Sequence, residues 1–423
     1  MGISQSMFTG VTGLSAMADN MSVVANNIAN SNSKGFKYDR AEFQDLLSQD
    51  LGGSGQLGRG VRMSDIRTMH TQGGLQVTDN LSDLAVQGDG FFIVRNSNTE
   101  VQESGGAFFT RVGSFHFDKD GYLADSTGGH VQGYMADRKG DISTKLTDIR
   151  IQTNNLPPMK TGTMTLNVNL DSRAKVIEDD FDLNNAEKTS NFNTTVATYD
   201  SHGRAHQTTV YFRRMDDDDG ISWQWHACVD SKETTDGDPD YALKEIAAGT
   251  VKFNNNGNLM EEITDFSEAN FAEGAFPAQE IKFDFGKNMG EEGGNGVGAS
   301  SSTAARSTTV FHNQDGYEAG NLKMMKIELD GTVLGIYTNG IQRSLGQVAM
   351  ATFENRDGLA KAGRNQFIAT IESGPAKIGA PQTGTLGSVY SSTLEESNVD
   401  LASQFVNMIL TQRGFQANSR SVT

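Results

Sequence analysis

The chain has 423 residues, a net charge of −18, 47 glycines against 6 prolines, and a single cysteine, Cys228. Without a compensating basic stripe this acid excess excludes nucleic acid as a partner, since phosphates are repelled, and one cysteine excludes an internal disulfide framework. No run of about 18 apolar residues occurs, so no membrane insertion is expected, and residues 1–33 hold no Lys or Arg and no compact apolar segment, so a Sec-type signal is not expected either.

In chain order, the first signal is a heptad. Met7, Leu14, Met21 and Ile28 are seven apart, with Ile3, Val11, Met17 and Val24 in the interleaved positions. This predicts a long amphipathic helix over 1–30 that packs on another helix. Gly2, Gly10, Gly13, Ala16 and Ala18 thin it for close neighbours. The segment "NNIANSNSKGFK" (26–37) then closes it. Asn26, Asn27 and Asn30 tolerate left-handed backbone and can cap open carbonyls, Gly35 permits a turn, and Phe36 can pin that turn by packing.

Strand signals fill the interior. "LAVQGDGFFIVRN" (84–96) reads as strand, Gly-Asp-Gly turn, strand, and 108–134 alternates around Asp120-Gly121. Residues 322–340 repeat the design around Asp330-Gly331, a strong hairpin signal. Further strands are expected in 197–214 and 221–232. In the latter, alternation puts Trp223, Trp225, Ala227 and Val229 on one face and Cys228 with Gln224 and His226 on the other, so the thiol is expected within reach of solvent. The low-complexity stretch 290–307 and the glycines near 52–60 bracket this β-rich interior.

The far end mirrors the start. Leu394, Leu401, Met408, Phe415 and Val422 are again seven apart, with Phe405 and Ile409 between them, which predicts a helix over 394–423. The fold class is therefore mainly β with terminal α-helices. The N- and C-terminal helices pair as a coiled-coil-like axial domain, and nested β domains are inserted between them.

Enzyme signatures are lacking. There is no G-x-x-x-x-G-K-[ST], H-E-x-x-H or G-x-S-x-G, and Gly88-Asp89-Gly90 lacks the third glycine of a dinucleotide loop. His202 and His206 are four apart with no cysteine partner, and Asp216 to Asp219 misses the ligand pattern of a calcium loop, which leaves a solvated loop. No catalytic, cofactor or metal site is expected.

The start "GVTGLSAMADNMSVVANNIANSNSKGFK" resembles the N-terminal motif of bacterial flagellar axial proteins, the rod and hook families. "LEESNVDLASQFVNMILTQRGFQANSRSV" resembles their C-terminal motif. "GDGFFIV", "FTRVGSFHFDKDGYL" and "GHVQGY" are similar to their core domain, and "YDSHGRAHQTTVYF", "VKFNNNGNL" and "LGQVAMATFENRDGLAKAGRNQF" to the hook family in particular. The resemblance implies a subunit of a hollow, curved, flexible tube between rod and filament, with self-association as its main contact. Rod, hook-cap and hook-filament junction proteins and the flagellar export apparatus are the other implied partners. It further implies a place outside the cell, reached without a cleavable signal peptide.

By this resemblance 1–30 and 394–423 form the axial helices, 31–70 and 356–393 a joint, 71–150 and 303–355 a core β domain, and 151–302 an outer β domain. Met7, Val11, Leu14, Met21, Val24, Ile28, Leu394, Leu401, Phe405, Met408 and Phe415 become assembly residues, and Asn26, Asn27, Ala29, Asn30, Gly35 and Phe36 the joint. In spirochaete members a cysteine and a lysine of neighbouring copies are cross-linked, which makes Cys228 a candidate. The alternatives are the shorter distal rod family and a secreted β-domain adhesin.

Overall fold

The computed structural model describes residues 2–46, 49–50, 56–96, 106–137, 140–151, 155–216, 221–289 and 298–422. Most of the acidic run after Asp216, the glycines at 52 and 53, and residues 290–297 of the low-complexity stretch lie outside the described residues. Two helices, α1 (Gly2–Ala29) and α2 (Leu401–Val422), stand at the ends of an otherwise β-rich chain. The chain divides into two units. Unit 1 comprises Met1–Thr153, Lys323–Ile336 and Gln342–Thr423, and unit 2 comprises Asn154–Leu322 and Tyr337–Ile341.

In unit 1 the strand Asp39–Asp45 leaves α1 and pairs antiparallel with Val61–Thr68, with an irregularity between Glu42 and Phe43. Two short pairs follow, Leu75–Val77 with Thr393–Glu395 and Leu84–Gln87 with Ser388–Ser391, so segments from both ends of the sequence meet strand to strand. A thirteen-stranded sheet forms the body of the unit. Its strand Phe91–Arg95 is buried on both faces, which is why it reads as an unbroken apolar run. Phe92 and Val94 join Leu84, Val131, Val348 and Val389 on one side, and Phe91 and Ile93 join Phe109, Phe353 and Phe367 on the other. The Gly-Asp-Gly turn occurs where expected, with Gly88 at φ 94° and Gly90 at φ 133°, but the strands it joins pair with different partners and make no hairpin. The Asp330-Gly331 turn sits between paired strands, Leu322–Ile327 and Thr332–Tyr337, with Gly331 at φ 77°.

Unit 2 holds a five-stranded antiparallel meander in sequence order: Phe192–Tyr199, Ala205–Met215, Ile221–Asp230, Leu243–Phe253 and Leu259–Ser267. A four-stranded sheet centred on Thr163–Asp171 packs on it and takes in Lys282–Asp284, Ser301–Thr303 and Thr308–Gln314. Because Thr308–Gln314 pairs with Thr163–Asp171, residues 303–322 fold with unit 2. Trp223, Trp225, Ala227 and Val229 all face the core between the two sheets.

Cys228 faces the other way, as alternation requires, yet it has no exposed surface. Phe181, Leu183 and Ala186 fold over that second face and enclose the thiol together with Tyr211 and Leu243. This corrects the expectation of a solvent-reachable cysteine. Alternation tells which face a side chain takes, but it does not tell whether a later segment covers that face. Burial, with a smaller push from Glu245, raises the thiol far above the ordinary cysteine range, so it stays protonated.

Candidate assembly surface: the terminal helix pair and its joint

α1 and α2 pack antiparallel, and the seam between them is not the expected apolar one. Asn20 Nδ2 donates to Thr411 Oγ1 at 2.7 Å, and Asn27 Nδ2 donates to Gln404 Oε1 at 3.2 Å. At Gly13 a Cβ would lie 2.7 Å from Asn418 Nδ2, so glycine is what admits that amide. A Cβ at Gly10 would likewise meet Val422 Cγ2 at 2.7 Å. Ala16, Val23 and Val24 complete the buried face of α1, and on α2 the two buried residues are Gln404 and Thr411.

The apolar heptads lie beside or opposite this seam. Of the α1 set only Val24 is buried. Leu14, Met21 and Ile28 are half-buried, whereas Met7 and Val11 are exposed, with Phe8 beside them at 57%. On α2, Met408 is half-buried, Leu401 and Phe415 are exposed, and Phe405, Val406, Ile409 and Leu410 are 50–60% exposed. Leu394 belongs to neither helix. It sits in the strand Thr393–Glu395 opposite Gln76, because α2 begins only at Leu401. The preceding Asp400 sets that start: its carboxylate accepts from Ala402 N–H at 3.0 Å and Ser403 Oγ at 2.8 Å. These bonds, Ser403 first, hold its carboxyl below the usual range.

The turn that leaves α1 is built around the asparagines named from the sequence. Asn27 is buried, its Oδ1 accepting from Asp39 N–H at 2.9 Å and its Nδ2 donating to Asp39 O at 2.8 Å, so one side chain ties the helix end to the first strand. Asn30 folds back, donating through its backbone to Asn26 O at 3.1 Å and through Nδ2 to the same oxygen at 3.0 Å. Ala29 ends α1. Gly35 takes φ 65°, and a Cβ there would sit 2.9 Å from the backbone of Arg111 and Val112. Its N–H donates to Glu395 O at 2.8 Å, and Phe36 beside it is buried.

Beneath that turn lies a charge cluster that the sequence did not single out. Lys37 Nζ is 2.5 Å from Glu395 Oε1, Arg111 Nη1 is 3.3 Å from Oε2, and Gly73 N–H donates to Oε1 at 2.9 Å. All three charged side chains are almost wholly buried, Glu395 completely. Two cations face one carboxylate, and carbonyls take up the surplus donors: Thr71 O accepts from Lys37 and Gly88 O from Arg111, at 2.8 and 2.7 Å. Burial lowers both cations from their ordinary values, and Glu395 opposes it. His70, edge-on to Phe91 and Phe367, is pulled down to about 4, mainly by burial. Asn398 adds a further tie, accepting from Tyr38 N–H and donating to Met69 O, each at 2.8 Å. No spacing rule links positions 37, 111 and 395, so only the fold could bring them together.

The histidine pair has no metal-site geometry. His206 is buried on Phe271, with ring nitrogens 2.8 Å from Glu233 and 3.4 Å from Asp200. Among the described residues, no group of three or more His, Cys, Asp or Glu is placed to hold a metal ion.

Known proteins match along the whole length. Residues 7–37 match the flagella basal body rod protein family, and 85–169 match the flagellar hook protein FlgE/F/G D1 domain. Residues 169–317 match the flagellar basal body protein FlaE D2 domain, and 390–423 the flagellar basal body rod FlgEFG protein C-terminal family. The flagellar hook proteins FlgE of Treponema pallidum and Borreliella burgdorferi are each 34% identical, covering 99% of this chain and 96% of their own. That of Salmonella typhimurium is 32% identical over 97% of this chain and 95% of its own. The solved structure of Helicobacter pylori flagellar hook protein FlgE2 covers 75% of this chain and 100% of its own at a TM-score of 0.53 and 16% identity, a likeness of fold. With such identity maintained from one end to the other, this chain belongs to the flagellar hook protein family and is a structural subunit of the bacterial flagellar hook.

Proposed function

We propose that this subunit polymerises through the outward apolar rows of α1 and α2 into a hollow, curved and flexible tube that passes torque from rod to filament. One observation carries the reading: the helix pair is inverted, with polar groups in its seam and Met7, Val11, Phe405 and Ile409 outside. A seam hydrogen bond contributes about 1 kcal/mol net, whereas fully burying a large apolar side chain contributes roughly 1.5–3 kcal/mol. The larger gain is thus available only between copies, and it must also overcome the repulsion of chains carrying −18 each.

On this reading the assembly residues are those of the two heptads, without Leu394. The joint is Asn26, Asn27, Asn30, Gly35 and Phe36 over the Lys37–Glu395–Arg111 cluster. The β portion of unit 1 forms the core domain and unit 2 the outer domain, whose fewer and more polar contacts slide as the tube bends. The subunit leaves the cytoplasm through the flagellar export apparatus, and meets rod, hook-cap and hook-filament junction proteins at the ends of the polymer. A cross-link through Cys228 would first require the 181–186 cover to lift, so the buried thiol is assigned a packing role.

Electron microscopy of the purified chain tests this. The full chain is expected to give curved tubes, and a chain lacking residues 2–29 none, with its β-sheet circular dichroism retained. Tubes from the shortened chain would sink the proposal, and straight tubes from the full chain would reassign it to the rod.

A further inference from the structure

We infer that the polar seam of the helix pair is a register lock that determines which helices pair, and that the exposed apolar rows are left register-tolerant for other copies. The inference rests on the polymer reading above and assigns to particular residues a specificity that reading leaves open. In an assembly, every α1 is surrounded by α2 segments of many chains, all with similar apolar heptads. Apolar contact is non-directional, so a heptad shifted by seven residues buries nearly the same surface. Hydrogen bonds are directional and lose their value when donor and acceptor are misplaced.

The rungs step seven residues along both helices in opposite directions: Asn27 with Gln404, Asn20 with Thr411, and Gly13 with Asn418. Thr411 is itself oriented, its hydroxyl donating to Asn407 O at 2.7 Å and thereby turning a lone pair to Asn20. A slip of one heptad in either direction carries one rung off a helix end. In one direction it also brings Asn418, which faces a glycine in the native register, against the larger Asn20. Asn27 cannot follow a slip, because the same amide is committed to Asp39. A polar residue in an otherwise apolar helix interface commonly fixes register and partner in this way.

Cysteine pairs that replace no rung residue read the register in assembled tubes. A Cβ at Gly414 would lie 3.2 Å from Met17 Sδ, so Met17→Cys with Gly414→Cys reports the native register. Met17→Cys with Asn407→Cys or with Ser421→Cys, seven residues to either side, reports a slip. Cys228 has no exposed surface and adds no background. After mild oxidation, non-reducing gels are expected to show the native pair closed within one chain and the slip pairs below about a tenth of that yield. Adding Asn20→Ala, Gln404→Ala and Asn418→Ala is expected to raise the slip pairs to within about threefold of the native pair. If that triple variant forms no tubes, Asn20→Ala alone is read in the same way. Slip pairs as frequent as the native pair with all rungs present, chain-to-chain dimers from the native pair, or an unchanged pattern after the rungs are removed would each overturn the lock. Tubes that form but cross-link out of register refute this inference alone, whereas an unsubstituted chain that forms no tubes refutes the polymer reading.

Discussion

Unit 2 and the terminal helix pair solve the same problem in opposite senses. In unit 2, Trp223 and Trp225 are fully buried, and Trp225 packs on Phe283 and Phe285 at 4.8 and 5.3 Å between ring centroids. Its large apolar groups are spent inside one chain. In the helix pair most of the large apolar side chains point outward, and the inside is held by amides, a hydroxyl, glycines and the smaller Ala16, Val23 and Val24. On the proposed reading the contrast separates a fold that is complete by itself from one that is completed among copies.

Substitutions can break that contrast from either side. The largest effect is expected at the joint: Glu395→Gln leaves Lys37 and Arg111 buried without a counter-charge and should cost about 3–5 kcal/mol in unit 1. Urea melts followed by a probe in each unit should show unit 2 unchanged, and a uniform loss would dissolve the distinction. Trp225→Ala should cost unit 2 about 3–5 kcal/mol and leave the critical concentration for polymerisation where it was. A raised critical concentration would mean that the two regions are not separable.

pH sharpens the comparison. Burial holds His70 at about 4 against the ordinary 6.5, so the neutral ring is favoured in the fold while the unfolded chain takes up its proton first. The contribution is complete above pH 6.5, falls as pH drops through the window to about 4, and totals roughly 3 kcal/mol. Acid should therefore loosen unit 1, and His70→Phe should flatten the slope between those limits in thermal melts. The smallest effect is expected at the outward face. Phe405 is already half covered, so Phe405→Ala should forfeit only about 1 kcal/mol of burial on assembly. That is a rise of about fivefold in critical concentration with the monomer melt unmoved.

Much of the fold could be read from the residues because local chemistry agreed with the final structure. The heptad over 1–30, the Asp330-Gly331 hairpin and the alternation around Trp225 are short-range signals, and each corresponds to an element that formed. Where the reading failed, a longer-range partner decided the matter. Leu394 continues the α2 heptad by arithmetic, but Leu75–Val77 captures its segment as a strand. Cys228 lies on the outward face of its strand until Phe181 and Leu183 cover it. The seam was misjudged for a different reason. Apolar periodicity identifies a face that wants covering without saying which chain covers it, and the polar heptad at 13, 20 and 27 draws no attention beside the apolar one. The Lys37–Glu395–Arg111 cluster left no trace at all, since Glu395 lies 358 and 284 residues from its two cations and all three look like ordinary surface charges until folded.

The corner at Asn27 has a consequence for how the chain ages. Its single amide nitrogen donates to both Asp39 O and Gln404 Oε1, and its oxygen accepts from Asp39 N–H. Hydrolysis to aspartate exchanges that nitrogen for an oxygen with almost no change of shape. The bond donated to Asp39 O would become a contact between two acceptors, and Gln404 would have to turn its amide to keep a bond across the helix pair. Its burial at the end of α1 keeps water from the amide. A subunit in which that protection lapsed would keep its β-sheets and lose the tie between α1 and the first strand, so wear would loosen the helix pair before it unfolded the sheets.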